Sequence, residues 1–281
     1  MKSALVLEGG AMRAIYDAGV FDVLLENNIE TDLCIGVSAG ALFGINYKSK
    51  QTGRVLRYNL KYSTDNRFVG WRSLLKTGDL MDKQFYFDDL PYRLDPMDLE
   101  TYKSNKTTLK AVVTNLKTGK AEYPEINDLA DYKCMEFLRA SGSLPFLSRN
   151  VEIDGTPYLD GGVADSVPVE YCLNEGYDKL IVVLTRPFGF RKSGTIKFTK
   201  LFYKEYPEFC ETLKNRNYIY SEQYDLIDKL EKDGKIFVIR PSKVIRTKAT
   251  EKNPDILNAL YTLGRSDCEK VLKELVEYLE K

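Results

Sequence analysis

Leu33-Cys34-Ile35-Gly36-Val37-Ser38-Ala39-Gly40-Ala41-Leu42 is an apolar run that ends at a glycine, sets a serine two residues on, and continues into small residues of helical habit. G-x-S-x-G between a strand and a helix describes a nucleophile elbow, the sharp turn that holds a serine hydroxyl above a sheet edge. The glycines have a packing reason, because at such a turn backbone meets backbone and a Cβ would clash. Composition alone yields the pattern in about a tenth of chains this long. Its surroundings therefore decide the reading.

Upstream, Ser3–Leu7 reads as a buried strand, followed by Glu8-Gly9-Gly10-Ala11-Met12-Arg13-Ala14 and a helix whose apolar positions include Ile15, Ala18, Phe21 and Leu24. A glycine-rich turn between strand and helix can be a tight connection and nothing more. It can also be an anion site, since free amides and the helix dipole point out of it. A dinucleotide site is the weaker alternative, because Ala11 and Ala14 stand where G-x-G-x-x-G needs its second and third glycines. Parallel strands joined by a helix present their turns at the same edge. The Gly9–Arg13 turn is thus expected beside Ser38, and amides aimed at a developing oxyanion are each worth about 3–4 kcal/mol in acyl transfer.

Composition narrows the chemistry. The 281 residues contain 43% hydrophobic side chains, and 41 Lys plus Arg balance 41 Asp plus Glu. No global field attracts nucleic acid or an anionic membrane. Five dispersed cysteines without C-x-x-C spacing read as reduced thiols of a cytoplasmic protein. Neither a signal peptide nor an apolar run near 18 residues is found, so a soluble chain, at most peripheral to a membrane, is expected. The sequence contains no histidine. A Ser-His-Asp triad and any His-ligated metal are excluded, and a serine nucleophile must take a carboxylate, lysine or tyrosine as its base. Neither a metal nor a cofactor is expected.

Downstream, residues 50–105 are irregular, with Tyr58, Tyr62, Phe68, Trp71, Phe85, Tyr86, Phe87 and Tyr92 among charges. Leu60–Tyr92 reads as a cover over an acyl cleft and a point of membrane contact, or as a segment with its own small hydrophobic cluster or a solvated lid. Ser73-Leu74-Leu75-Lys76 with Lys117-Thr118-Gly119 imitates a penicillin-recognising hydrolase, but the S-D-N element is missing. Thr108–Thr114 reads as a strand, Met135–Ala140 as a short helix, and Val151–Leu159 as a hairpin delivering Asp160-Gly161-Gly162. Asp160 is a turn former or, if burial raises its pKa, a base for Ser38; Asp154 and Asp165 are its competitors. Lys179–Thr185 and Ile236–Arg240 read as strands, with a basic loop over Arg186–Lys200 and helices towards the C-terminus.

Taken together, Gly9-Gly10-Ala11-Met12-Arg13, Gly36-Val37-Ser38-Ala39-Gly40 and Asp160-Gly161-Gly162, in that order, resemble the patatin-like phospholipase family and its bacterial members. Ala140-Ser141-Gly142-Ser143-Leu144-Pro145 and Pro168 resemble that family's approach to its aspartate, and the resemblance spans residues 3–190. It implies an α/β fold, three layers α/β/α around a mainly parallel sheet, with a catalytic domain over 1–190. A mostly helical C-terminal extension, 191–281, would pack on that domain or continue it. It also implies a serine lipid acyl hydrolase, phospholipase A-type or carboxylester hydrolase, acting on a lipid or small ester. Ser38 would attack the carbonyl and Asp160 accept its proton. The amides of Gly10 and Ala11 would form the oxyanion hole, with Gly9 and Arg13 binding substrate and Arg13 orienting a lipid phosphate. Ala11 departs from the usual glycine, and its role carries over if its φ is negative. The competing readings are a catalytically silent lipid- or acyl-binding regulator of the same fold and a nucleotide-binding α/β protein. Residues 190–281 carry no recognisable chemistry.

Overall fold

In the computed structural model, which describes residues 1–65 and 67–281 and leaves aside the Trp71 side chain, the first strand β1 (Ser3–Leu7) is fully apolar at its four last positions. That pattern belongs to a strand covered on both faces. It is followed by a short 3₁₀ turn, Ala11–Ala14, and α1 (Ile15–Glu26), then β2 (Leu33–Val37) and α2 (Ala39–Lys48). Helices α3 (Arg54–Tyr62), α4 (Trp71–Thr77) and α5 (Leu99–Ser104), with a π-helical stretch at Phe85–Leu94, lead to β3 (Thr108–Asn115) and β4 (Ala121–Glu122). Helix α6 (Tyr132–Ser141), the hairpin β5 (Val151–Ile153) and β6 (Thr156–Asp160), then α7 (Val169–Asn174) and β7 (Lys179–Val183) follow. The chain closes with α8 (Thr199–Phe202), α9 (Pro207–Lys232), β8 (Phe237–Ile239), α10 (Pro254–Lys270) and α11 (Leu272–Glu280).

The sheet runs β5-β6-β3-β2-β1-β7-β8, with β4 paired to β3 off this path. The five strands from β3 to β8 are mutually parallel, and β4, β5 and β6 add antiparallel pairs. Strand side chains alternate between faces, and here the alternation sorts the core into two layers. Leu5, Leu7, Cys34, Ile181 and Val183 pack with α1, α2 and α10 on one face. Val6, Ile35, Val37, Val182 and Leu184 pack with α7 and α9 on the other. The expected three-layer α/β/α arrangement follows directly. The stretch beyond residue 190 extends the sheet through β8, and α10 lies against α1, where the Tyr16 hydroxyl donates to Asp267 at 3.3 Å. No helix among the described residues is long and apolar enough to cross a membrane.

Register brings the turns together. Leu7 pairs with Gly36 on one side and Val183 on the other, so β1, β2 and β7 end at one edge. Val37 pairs with Val112, and Asp160 pairs with Val113. Ser38 and Asp160 therefore flank β3 at the same level. Helix α2 can start this close only because of its glycines. A Cβ at Gly36 would lie 2.4 Å from the Ala41 nitrogen, and one at Gly40 2.5 Å from the Leu7 carbonyl oxygen. Gly40→Ala is expected to cost about 3 kcal/mol by forcing α2 off the sheet, visible as a lower urea midpoint. An unchanged midpoint would mean that the helix can move away freely.

Among the aromatics of Leu60–Tyr92, Tyr62, Phe68, Phe85, Tyr86 and Phe87 pack into the core. Phe68, Phe85, Phe87 and Leu90 are buried in the main core, where Phe68 stacks on Tyr86 with centroids 4.9 Å apart. Phe68 also meets Tyr58 of α3 edge-on, with centroids 6.2 Å apart. These aromatics belong to the main core and not to a small cluster of their own.

Candidate active site

Ser38 is the first residue after β2 and precedes α2 with φ 55° and ψ −124°, a region that non-glycine residues adopt only when the surrounding structure holds them there. Its amide donates to Ser141 Oγ at 2.9 Å, and its carbonyl accepts the Ala41 and Leu42 amides. The backbone is pinned from both sides, while the hydroxyl lies beside the Asp160 carboxyl and makes no well-formed hydrogen bond among the described residues. Asp160 ends β6. Its amide donates to the Ser143 carbonyl at 2.8 Å, its carbonyl accepts from Thr114 Oγ1, and Oδ1 accepts the Gly162 amide at 2.7 Å. Oδ2 is buried with no hydrogen-bond partner among the described residues. Burial pushes the Asp160 carboxyl up, opposed by the Ser38 hydroxyl beside it, by Arg216 and by the Gly162 amide.

Ser38, Asp160, Gly9, Gly10, Ala11 and Arg13 all line one cavity of about 180 Å³. Among the described residues the Gly10 and Ala11 amides donate to no protein acceptor. Ala11 has φ 49°, so the negative φ on which its oxyanion role was conditional is not met. The turn needs a left-handed residue between strand and helix, and alanine holds that conformation at a cost of about 1 kcal/mol. The turn is tied down by Glu8, whose buried carboxyl accepts from the Tyr220 and Tyr224 hydroxyls of α9 and from Thr185 after β7.

The competitors are elsewhere. Asp154 sits in the exposed β5–β6 turn, paired with Lys133. Asp165 is held by the Tyr123 hydroxyl at 2.8 Å and Gln223 Nε2 at 2.7 Å. Ser73 Oγ is used on the Asp79 carbonyl, and Lys117 Nζ on that of Gly155.

Sequence reasoning missed the far wall of this cavity. Lys192, Arg216 and Tyr220 complete it, all from the stretch assigned no chemistry. Lys192 Nζ lies 4.6 Å from the Tyr220 ring centroid, and Arg216 Nε donates to the Gly162 carbonyl. The available signal was the run from Arg186 to Lys204, which holds six basic residues and no acidic one.

The family model for patatin-like phospholipases matches residues 5–173. The chain belongs to the patatin-like phospholipase family. All three motifs lie inside this match, whereas Lys192, Arg216 and Tyr220 lie outside it. A second model, for a domain of unknown function (DUF6363), matches residues 206–280. The uncharacterized protein YjjU of Escherichia coli K12 is 25% identical over 93% of this chain and 74% of its own length. The probable lipid hydrolase 463L of invertebrate iridescent virus 6 is 22% identical over 70% of this chain and 74% of its own. Lysophospholipase nte1 of Aspergillus niger is 27% identical over 64% of this chain but only 11% of that protein. The crystal structure of VipD from Legionella pneumophila aligns with a TM-score of 0.48 at 15% identity, over 97% of this chain and 67% of that one.

Proposed function

We propose that this patatin-like protein is a lipid acyl hydrolase working through a Ser38–Asp160 dyad. The observation that carries the reading is the Ser38 hydroxyl beside a buried Asp160 carboxyl in one cavity, with Asp160 Oδ2 unpartnered among the described residues. Asp160 takes the hydroxyl proton as Ser38 Oγ bonds to the ester carbonyl carbon, and the oxyanion is received by the Gly10 amide of the same turn. Collapse breaks the C–O bond, and the leaving alcohol takes the proton back from Asp160. Water then hydrolyses the acyl-enzyme with Asp160 again as base. A second cavity of about 170 Å³, lined by Leu144, Phe146, Val163, Ile196 and Leu213, shares Leu144, Asp160 and Arg216 with the first and suits the acyl chain. Turnover of a short-chain chromogenic ester separates this reading from a silent lipid binder, which would bind acyl chains without releasing alcohol.

Peripheral membrane contact, in this reading, falls on α8 and its flanks. Phe198, Leu201 and Phe202 are 75%, 74% and 62% exposed, interleaved with exposed Lys197, Lys200 and Lys204. Phe202 packs on Phe146 of the acyl cavity, with ring centroids 5.1 Å apart. Aromatic side chains among lysines suit an anionic lipid surface. Replacing Phe198 and Leu201 together by serine is expected to lower partitioning onto anionic vesicles by at least about 10-fold. Sedimentation with vesicles measures it, and undiminished binding would remove α8 from the contact.

A further inference from the structure

Three cations, Arg13, Lys192 and Arg216, line the cavity. Neighbouring Arg191 is paired with Asp225 and Asp228, whereas none of these three makes an ion pair among the described residues. The Nε atom of Arg13 is buried with no hydrogen-bond partner among the described residues. Burial, with Arg216 and Arg186 next and Arg13 adding to them, holds the Lys192 ammonium down to about 8 against the pull of Glu8. Buried donors without acceptors cost stability unless a ligand satisfies them. Among the described residues that line the cavity, Asp160 is the one carboxyl group facing these three cations, and the Glu8 carboxyl behind the turn already accepts from Thr185, Tyr220 and Tyr224. Asp17, also near Arg13, is buried with no hydrogen-bond partner among the described residues, and burial pushes its pKa well up. The excess is about two positive charges, the charge of a phosphomonoester near neutral pH.

We propose that Arg13, Lys192 and Arg216 form a subsite for a phosphomonoester dianion beside Ser38. The inference rests on the hydrolase reading only for what the subsite serves. If the phosphate belongs to the substrate, the ester cleaved is of the phosphatidate or lysophosphatidate kind, not a choline diester or a neutral glyceride. A choline headgroup would bring a further cation to a wall that already has two in excess. The sequence match to the family ends at residue 173, so two of the three cations belong to a part of the chain that the match does not describe.

The test has two arms. In the first, inorganic phosphate is titrated into the Ser38→Ala protein at low ionic strength and followed by calorimetry. Saturable binding is expected, weakened about 10-fold or more when Lys192→Met is added and recovered in part by Lys192→Arg. In the second, wild-type kcat/KM is compared for lysophosphatidate, lysophosphatidylcholine and monoacylglycerol of one chain length. Preference for lysophosphatidate, about 10-fold or more, that shrinks in Lys192→Met assigns the phosphate to the headgroup. Phosphate binding without that preference assigns the subsite to free phosphate. If phosphate does not bind and the three esters are cleaved alike, the subsite is overturned while the hydrolase stands. If phosphate binds but no ester is cleaved, the hydrolase reading fails and the subsite remains.

Discussion

Ser38→Ala is expected to lose fluorophosphonate labelling and to lower ester turnover by about 10⁶-fold, the scale on which removal of a serine nucleophile acts. The fold should survive. Alanine keeps the Cβ, so the strained φ of 55° is no less tolerated, and the amide bond to Ser141 Oγ remains. Because the hydroxyl makes no well-formed hydrogen bond among the described residues, the stability change should stay within about 0.5 kcal/mol. Other nearby hydroxyls are already engaged: Ser141 Oγ accepts the Ser38 amide, and Ser166 Oγ donates to the Gly162 carbonyl at 2.9 Å. Labelling that persists in the alanine variant, read by intact mass, would transfer the nucleophile to one of these and end the Ser38 assignment.

What was legible in the sequence follows local rules. Ser3–Leu7, Leu33–Val37 and Lys179–Val183 read as buried parallel strands because apolar residues fill both faces, and that same feature divides them between two core layers. The turns at Gly9 and Ser38 were legible as neighbours, since parallel connection fixes which edge they share, whereas Asp160, ending a strand antiparallel to β3, was put beside Ser38 only as a candidate base and by the family resemblance. The conformation of Ala11 was not. An isolated alanine avoids the left-handed region, and only the anchorage of Glu8 to Tyr220, Tyr224 and Thr185, residues about 180 to 215 positions away, holds the turn there. The cationic wall was hidden for the same reason. Lys192, Arg216 and Tyr220 share no local pattern, and α9 carries two of them to the site by packing against the sheet. The aromatics of Phe68–Phe87 misled because aromatic side chains among charges look alike at a membrane, over a cleft or in a core. A π-helical stretch also lacks the 3.6-residue period that would have placed Phe85 and Phe87 on a buried face.

Asp160→Asn is expected to lower kcat/KM by about 10²- to 10⁴-fold, the contribution of a positioned general base, without loss of stability. The aspartate must be ionised to accept the Ser38 proton, yet burial raises its pKa above the ordinary carboxylate value. Between the unfolded and the folded value the native state binds more protons, so the buried charge costs stability at neutral pH and the cost is relieved as pH falls through the folded pKa. Catalysis has the opposite slope, and wild-type kcat/KM should decline over that same interval as the base is protonated. Asparagine keeps the acceptor for the Gly162 amide and removes the charge from the unpartnered oxygen. Its melting temperature at pH 7 should equal or exceed that of the wild type, the gap should narrow in acid, and the acidic limb of the rate profile should vanish with the activity. A variant that keeps both its turnover and the acidic limb would show that another group takes the proton. Lys192, on the opposite wall with its ammonium already held near 8, would then be the first to test.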